Sequence, residues 1–308
     1  MSYQDVVVDG VLVRGQRECA SRWAAISKVL AKYDRRFTVL DLGASEGYFS
    51  LRAASEFDCV AVMIEGGKQL LSLCSENVGL DTILLQRRVS IRDLEQLATC
   101  EHFDVVLALN VLHHFVEPER VVRAVMSLGD HTIIETPAPD DSGACGQAVI
   151  PELHKLLADR GGDLIATTRS HVSDTYRPMW LFDTPKRTIT RAYIDVPPRA
   201  PLGPVRIEST YDYKQITFDR KSETRPWLHG INLRTYQMLG GAYPLPGDVA
   251  DQLEAVTLNA DIPHGDIQPW NFIMDGGDLW LIDGGDDRAI YDDVKGLAAT
   301  VLSVRSME

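Results

Sequence analysis

Apolar residues fall in short, nearly continuous runs, and between the runs they recur at helical spacing. Phe37-Thr38-Val39-Leu40-Asp41-Leu42 reads as a buried strand, Gly43-Ala44-Ser45-Glu46-Gly47 as a small-residue turn, and Tyr48-Phe49-Ser50 as the start of a helix reaching Phe57. The pattern repeats downstream. A strand over 59–65 ends in Glu65, a helix covers 69–78, and strands follow over 82–85 and 103–110. A fifth strand over 131–135 ends in Glu135 and is stopped by Pro137. A helix over 151–160 and strands over 164–170 and 179–182 complete the series. Upstream, Cys19, Trp23, Ile26, Val29 and Leu30 share one face of a helix over 16–33, with Gln16, Arg17 and Arg22 on its solvated side. Such alternation predicts an α/β fold: a doubly wound, Rossmann-like sheet of seven strands with helices on both faces, closing one domain (1–195). Pro197, Pro198, Pro201 and Pro204 then form a connector, and short strand-like pieces suggest a smaller C-terminal α+β module over 196–308.

Composition narrows the class. The 308 residues are 45% hydrophobic, enough for a substantial core. Net charge is −13, which repels a long phosphate backbone, so no nucleic-acid partner is expected. Residues 1–10 lack a basic stretch followed by an apolar core, and no apolar run has the length of a membrane span; a soluble, cytoplasmic protein is expected. Five cysteines, with no Cys-x-x-Cys pair, predict reduced thiols. Oligomeric state leaves no trace in the sequence.

The strand, turn and helix around Gly43 bring bare backbone to a ligand at a helix start. Three chemistries fit. A dinucleotide favours Gly-x-Gly-x-x-Gly, but Ser45 replaces the second glycine and Gly47 comes one residue early. Gly43-Ala44-Ser45-Glu46-Gly47 also satisfies the nucleophile elbow of α/β-hydrolases, with Ser45 as nucleophile, although it ends the first convincing strand and no oxyanion loop precedes it. S-adenosylmethionine, the third, has ribose hydroxyls that need a carboxylate. Glu65 lies 24 positions after Asp41, at the end of the second strand of the βαβ unit, where ribose hydroxyls are caught.

These stretches, with Phe103 to Asn110 and the following Val111-Leu112-His113-His114-Phe115, resemble the class I S-adenosylmethionine-dependent methyltransferases. That resemblance implies Asp41, Gly43, Ala44, Ser45 and Gly47, with Tyr48 and Phe49, around the methionine and ribose end of the cofactor. It further implies Glu65 on the ribose, Ser90 and Ile91 on the adenine with Arg88 near its edge, and Asn110 in the fourth-strand motif. Arg17-Glu18-Cys19-x-x-Arg22, His113-His114 and Arg177-Pro178-Met179 are similar to the methyltransferase half of the bifunctional O-antigen chain-terminating kinase–methyltransferases, over about the first 185 residues. Those relatives methylate a phosphate on a terminal sugar, which would set Arg17, Arg22 or Arg177 around a small-molecule or saccharide acceptor. His113 or His114 is the candidate base. Methyl transfer itself requires no metal, and two histidines alone do not make a metal site.

Beyond the connector, His264-Gly265-Asp266-Ile267-Gln268-Pro269-Trp270-Asn271 and, 12 positions after Asn271, Asp283 resemble the catalytic loop and metal-binding aspartate of protein-kinase-like and aminoglycoside-type phosphotransferases. The resemblance implies Asp266 as base, and Asn271 and Asp283 as holders of Mg²⁺ with ATP. No glycine-rich loop or Val-Ala-x-Lys strand is recognisable after 195, and 25 residues follow Asp283. A reduced kinase-like accessory module is therefore expected, with a bifunctional methyltransferase–kinase using Mg-ATP as the alternative. A non-catalytic nucleotide-binding protein is a further alternative.

Overall fold

The computed structural model describes residues 3–8, 11–15, 17, 19–171, 173–184, 206–209, 213–218, 221–226, 229–258, 268–281 and 291–303. The chain divides into two compact units, Met1–Lys186 and Arg187–Glu308.

The first unit opens on an antiparallel pair, β1 (Val6–Val8) and β2 (Val11–Val13), with Val6 opposite Val13. The pattern reading had not foreseen it. Helix α1 (Ala20–Leu30) follows, then β3 (Phe37–Leu42), α2 (Tyr48–Glu56), β4 (Cys59–Ile64), α3 (Gln69–Glu76) and β5 (Thr82–Leu85). Next come α4 (Ile91–Cys100), β6 (Phe103–Leu109), a 3-10 turn (Leu112–His114), α5 (Pro118–Met126) and β7 (Gly129–Glu135). α6 (Ile150–Asp159), β8 (Asp163–Arg169) and β9 (Tyr176–Asp183) complete the unit.

The sheet strands of this unit run in the order β5-β4-β3-β6-β7-β9-β8. β5, β4, β3, β6 and β7 are parallel, whereas β9 is antiparallel to β7 and to β8. Every residue of β3, β4 and β5 is buried, which is why these strands read as continuous apolar runs and not as alternations. The core on one face joins Trp23, Ile26 and Leu30 of α1 to Phe37, Val105, Leu107, Ile133 and Met179 of the strands. Each aliphatic side chain buried there contributes ~1.5–3 kcal/mol.

One expectation is corrected. Arg17 and Arg22 do not lie on a solvated face: both are buried, because Glu135 at the end of β7 receives them. Ser90 caps α4 and Ile91 begins it.

In the second unit β10 (Arg206–Ser209), β11 (Tyr213–Phe218) and β12 (Lys221–Pro226) form an antiparallel sheet. β13 (Ile231–Asn232), β15 (Phe272–Asp275) and β16 (Asp278–Leu281) form another, after helix α7 (Leu233–Met238), β14 (Gly241–Tyr243) and α8 (Pro246–Leu258); α9 (Tyr291–Ser303) comes last. Asn271 is buried in a 3-10 turn, Pro269–Asn271. Asp266, Asp283 and the proline connector lie outside the described residues.

Candidate active site

In the sheet, β4 lies on one side of β3 and β6 on the other, so the chain leaves these strands in opposite directions. A crevice opens at their carboxyl ends, the point at which doubly wound sheets bind ligands. A cavity of about 1180 Å³ occupies it.

One wall is the turn after β3. The Gly43 and Ala44 amides donate to the Ile64 carbonyl at 2.9 and 3.3 Å, tying the turn to the end of β4. Ser45 takes a left-handed φ of 56°, rare for a side-chain-bearing residue, and Gly47 has φ 71°. A Cβ on Gly47 would meet Leu70 Cδ1 at 2.6 Å, so both backbone and space call for glycine there. The Ser45 amide then donates to Glu65 Oε2 at 2.8 Å, and the Gly67 amide donates to Oε1 at 2.8 Å. Two backbone donors thus orient the Glu65 carboxylate while leaving it lone pairs for a ligand's hydroxyls. The Ser45 hydroxyl donates to Glu46 at 2.6 Å, and Glu46 in turn accepts from the Tyr3 and Gln4 amides. A nucleophilic serine would instead donate to a histidine.

The opposite wall comes from the start of α4. Ser90 forms a capping box with Asp93: its hydroxyl and amide both donate to Asp93 Oδ2 at 2.8 Å, and its oxygen accepts from the Asp93 amide. The Ser90 proton is therefore committed to the cap, while Ile91 offers an apolar surface to the cavity.

Beneath the far end lies a buried polar network. Glu135 accepts from Arg17 Nη2 at 2.9 Å, from Arg22 Nε at 2.8 Å, from Asn110 Nδ2 and from Thr168 Oγ1. Asn110, at φ 57°, also accepts from Arg177 Nη1 at 3.1 Å, and Arg177 grips Asp141 Oδ2 through Nε and Nη2 at 2.9 and 2.7 Å. A carboxylate with four donors satisfies the condition for burying charge. Burial pulls the Arg22 guanidinium below its ordinary value although Glu135 acts against it. Burial pushes Asp141 upward, but hydrogen bonds from Ser173 and Arg177 outweigh it and leave the carboxyl below the usual range.

The histidine pair divides its duties. Ring centroids of His113 and His114 are 4.2 Å apart; His114 is exposed and lines the cavity, whereas His113 is buried behind it. Burial, reinforced by His114 and Arg177, pushes the His113 imidazole down to about 4, and burial with Arg88 also lowers His114.

Of the residues expected from sequence, Arg17, Gly43, Ser45, Glu65, Ser90, Ile91, Asn110 and His114 line the cavity together. Asp41, Ala44, Gly47, Tyr48, Phe49, His113, Arg22 and Arg177 are not on its wall. Tyr48 and Phe49 belong to the core, and Asp41 is buried under the turn, where burial raises its carboxyl to about 7 despite a hydrogen bond from Ser50. Sequence reading missed Glu135 as a hub, although a carboxylate closing an apolar parallel strand was its signal. Arg87, Arg92 and Arg120 also went unnoticed on the rim. Arg87 pairs with Asp93, and Arg120 with Glu95 and Glu117, but Arg88 and Arg92 have no carboxylate partner among the described residues.

Comparison with known proteins bears on this geometry. Residues 39–129 match a family model described as a methyltransferase domain. No curated protein matches the chain by sequence. Among solved structures, the bifunctional kinase-methyltransferase WbdD is similar at 19% identity and TM-score 0.48, over 88% of this chain and 76% of that one. Magnesium protoporphyrin IX methyltransferase (ChlM) from Synechocystis PCC 6803, with bound SAM, is similar at 18% identity and TM-score 0.39, over 53% and 76%. The N-terminal domain of EvdMO1, in the presence of SAH and D-fucose, is similar at 14% identity and TM-score 0.43, over 60% and 91%. Over residues 39–129, the chain is therefore similar to a methyltransferase domain.

Proposed function

We propose that the chain transfers a methyl group from S-adenosylmethionine to a negatively charged small-molecule or saccharide acceptor. The observation that carries the reading is Glu65, held by two amides at the end of β4 and lining the same cavity as Ile91. In this reading Glu65 accepts the ribose hydroxyls, Ile91 packs on the adenine, and the backbone of Gly43 to Ser45 approaches the methionine end. Asp41, Ala44, Gly47, Tyr48 and Phe49 act from behind, by shaping the turn. Ser90 acts through the cap that sets the direction of α4.

The reaction is an in-line displacement: an acceptor lone pair attacks the methyl carbon, the carbon–sulfur bond breaks, and its electron pair stays on sulfur as S-adenosylhomocysteine forms. Positioning is the main task of such a site. Arg17 lines the acceptor side, Arg22 and Arg177 hold Glu135 and Asn110 beneath it, and Arg88 and Arg92, with no carboxylate partner among the described residues, favour an anionic acceptor. His114 takes the proton of a neutral one, with His113 packed behind it. The second unit, in this reading, is a reduced kinase-like accessory module, supported by the motif around Asp266, Asn271 and Asp283.

Calorimetric titration with S-adenosylhomocysteine tests the proposal. One equivalent is expected to bind, and Glu65→Ala to weaken binding ~10–100-fold, the worth of hydrogen bonds to a charged group. Equal affinity in Glu65→Ala, or no binding by the wild type, would sink the cofactor assignment. A parallel Mg-ATP titration is expected to be silent; heat that vanishes in Asp283→Ala would make the protein bifunctional.

A further inference from the structure

Residues 143–146 pass beside the histidine pair, and they bring a thiol with them. Cys145 Sγ lies 3.4 Å from His114 Nδ1. One nitrogen each from His113 and His114 and the Cys145 sulfur all lie within 4.8 Å of one another. In a tetrahedral zinc site, with metal–sulfur and metal–nitrogen bonds of ~2.3 and ~2.05 Å, ligand atoms stand ~3.3–3.6 Å apart. The cysteine–histidine spacing already has that value, and the remaining gaps, at most 4.8 Å, close by up to ~1.5 Å through side-chain rotation.

The approach is built into the backbone. Gly146 has φ 70°, and a Cβ placed on it would stand 2.2 Å from the His113 carbonyl oxygen. Only glycine allows the chain so close, and that contact is what carries Cys145 to the imidazoles. His113 Nδ1, moreover, is buried with no hydrogen-bond partner among the described residues, which leaves this imidazole with unused polar capacity. From these observations we propose that His113, His114 and Cys145 form a divalent metal site of the zinc class against the wall of the cavity.

Two imidazoles and a thiolate select zinc over magnesium or calcium, which prefer oxygen ligands. Metal entry deprotonates the thiol, and the proton leaves to solvent. Three protein ligands leave a fourth position, the arrangement of catalytic zinc sites. His114 lines the cavity, so the ion lies where the acceptor end is assigned. Arg177 and Arg17 nearby are neutralised by Asp141 and Glu135, whereas Arg88 has no carboxylate partner among the described residues; the field there favours an anion as fourth ligand. With the metal bound, an acceptor hydroxyl or thiol coordinated there loses its proton to solvent; His114 acts as the base only in the metal-free site.

Titration of the full chain with Co²⁺, and then displacement by Zn²⁺, tests the site without cofactor or acceptor. The expected result is a thiolate-to-cobalt charge-transfer band that saturates at one equivalent, disappears in Cys145→Ser, persists in Cys100→Ser, and needs at least ~10-fold more metal in His114→Ala. In the wild-type protein, Zn²⁺ should also shield Cys145 from alkylation, mapped by mass spectrometry. Absence of the band in the wild type, its survival in Cys145→Ser, or unaltered alkylation of Cys145 with Zn²⁺ present would overturn the proposal. None of these readouts depends on S-adenosylmethionine binding, so the site stands or falls separately from the cofactor assignment.

Discussion

At the scale of single residues, the site rests on buried charges that are paired with care. Glu135 contacts Arg17 and Arg22, which precede it by 118 and 113 positions, and Asn110 bridges it to Arg177. Asp41 is the contrasting case: it is buried with no cation beside it among the described residues, and burial raises its carboxyl to about 7. A raised acid pKa means that the folded state holds a proton that the unfolded state has released between pH ~4 and ~7, so this group's contribution to stability falls as pH rises through that window. Asp41→Asn, which cannot ionise and keeps an acceptor for Ser50, removes that decline. In urea titrations the variant should gain on the wild type between pH 5 and pH 7, by no more than ~1.4 kcal/mol per pH unit. A difference that is constant with pH would show that Asp41 titrates normally.

At the scale of elements, the apolar runs located β3, β4 and β5 well, because a strand buried on both faces leaves no polar position to blur its ends. The helical stripe through Trp23, Ile26 and Leu30 was equally readable in α1. The start of α4 was not, since Ser90 and Asp93 read as polar loop residues until the helix they cap is in view. The cap also orients the wall that carries Ile91. Ser90→Ala should therefore cost about 1 kcal/mol of stability, measured by chemical denaturation. It should also weaken S-adenosylhomocysteine binding less than Glu65→Ala does, because the Ser90 proton is spent on Asp93 and not on the ligand. A larger loss of binding in Ser90→Ala would give the hydroxyl a direct role.

At the scale of the whole molecule, the cavity lies within the first unit, where β3, β4 and β6 end together and α4 closes it. Ligand binding should be felt as added stability of that sheet. S-adenosylhomocysteine at a hundred times its dissociation constant should stabilise it by ~2.7 kcal/mol. Hydrogen exchange at the amides of β3, β4 and β6 should slow accordingly where it proceeds by global opening of the unit. Unchanged protection there at saturating ligand would argue that binding occurs elsewhere.

What the sequence determined by itself is the parallel α/β frame, the Gly43 to Gly47 turn, and Glu65 at the end of the next strand. Each is a local matter of apolar periodicity, left-handed backbone and strand ends, so neighbouring residues carry the information. Only the tertiary structure decided that Arg17 and Arg22 are buried on Glu135, that His114 and not His113 faces the cavity, and that Cys145 meets the pair 31 positions away. Those outcomes depend on strand order, and on how closely one backbone can pass another at Gly146. No periodicity along the chain encodes which distant side chains will share a buried volume.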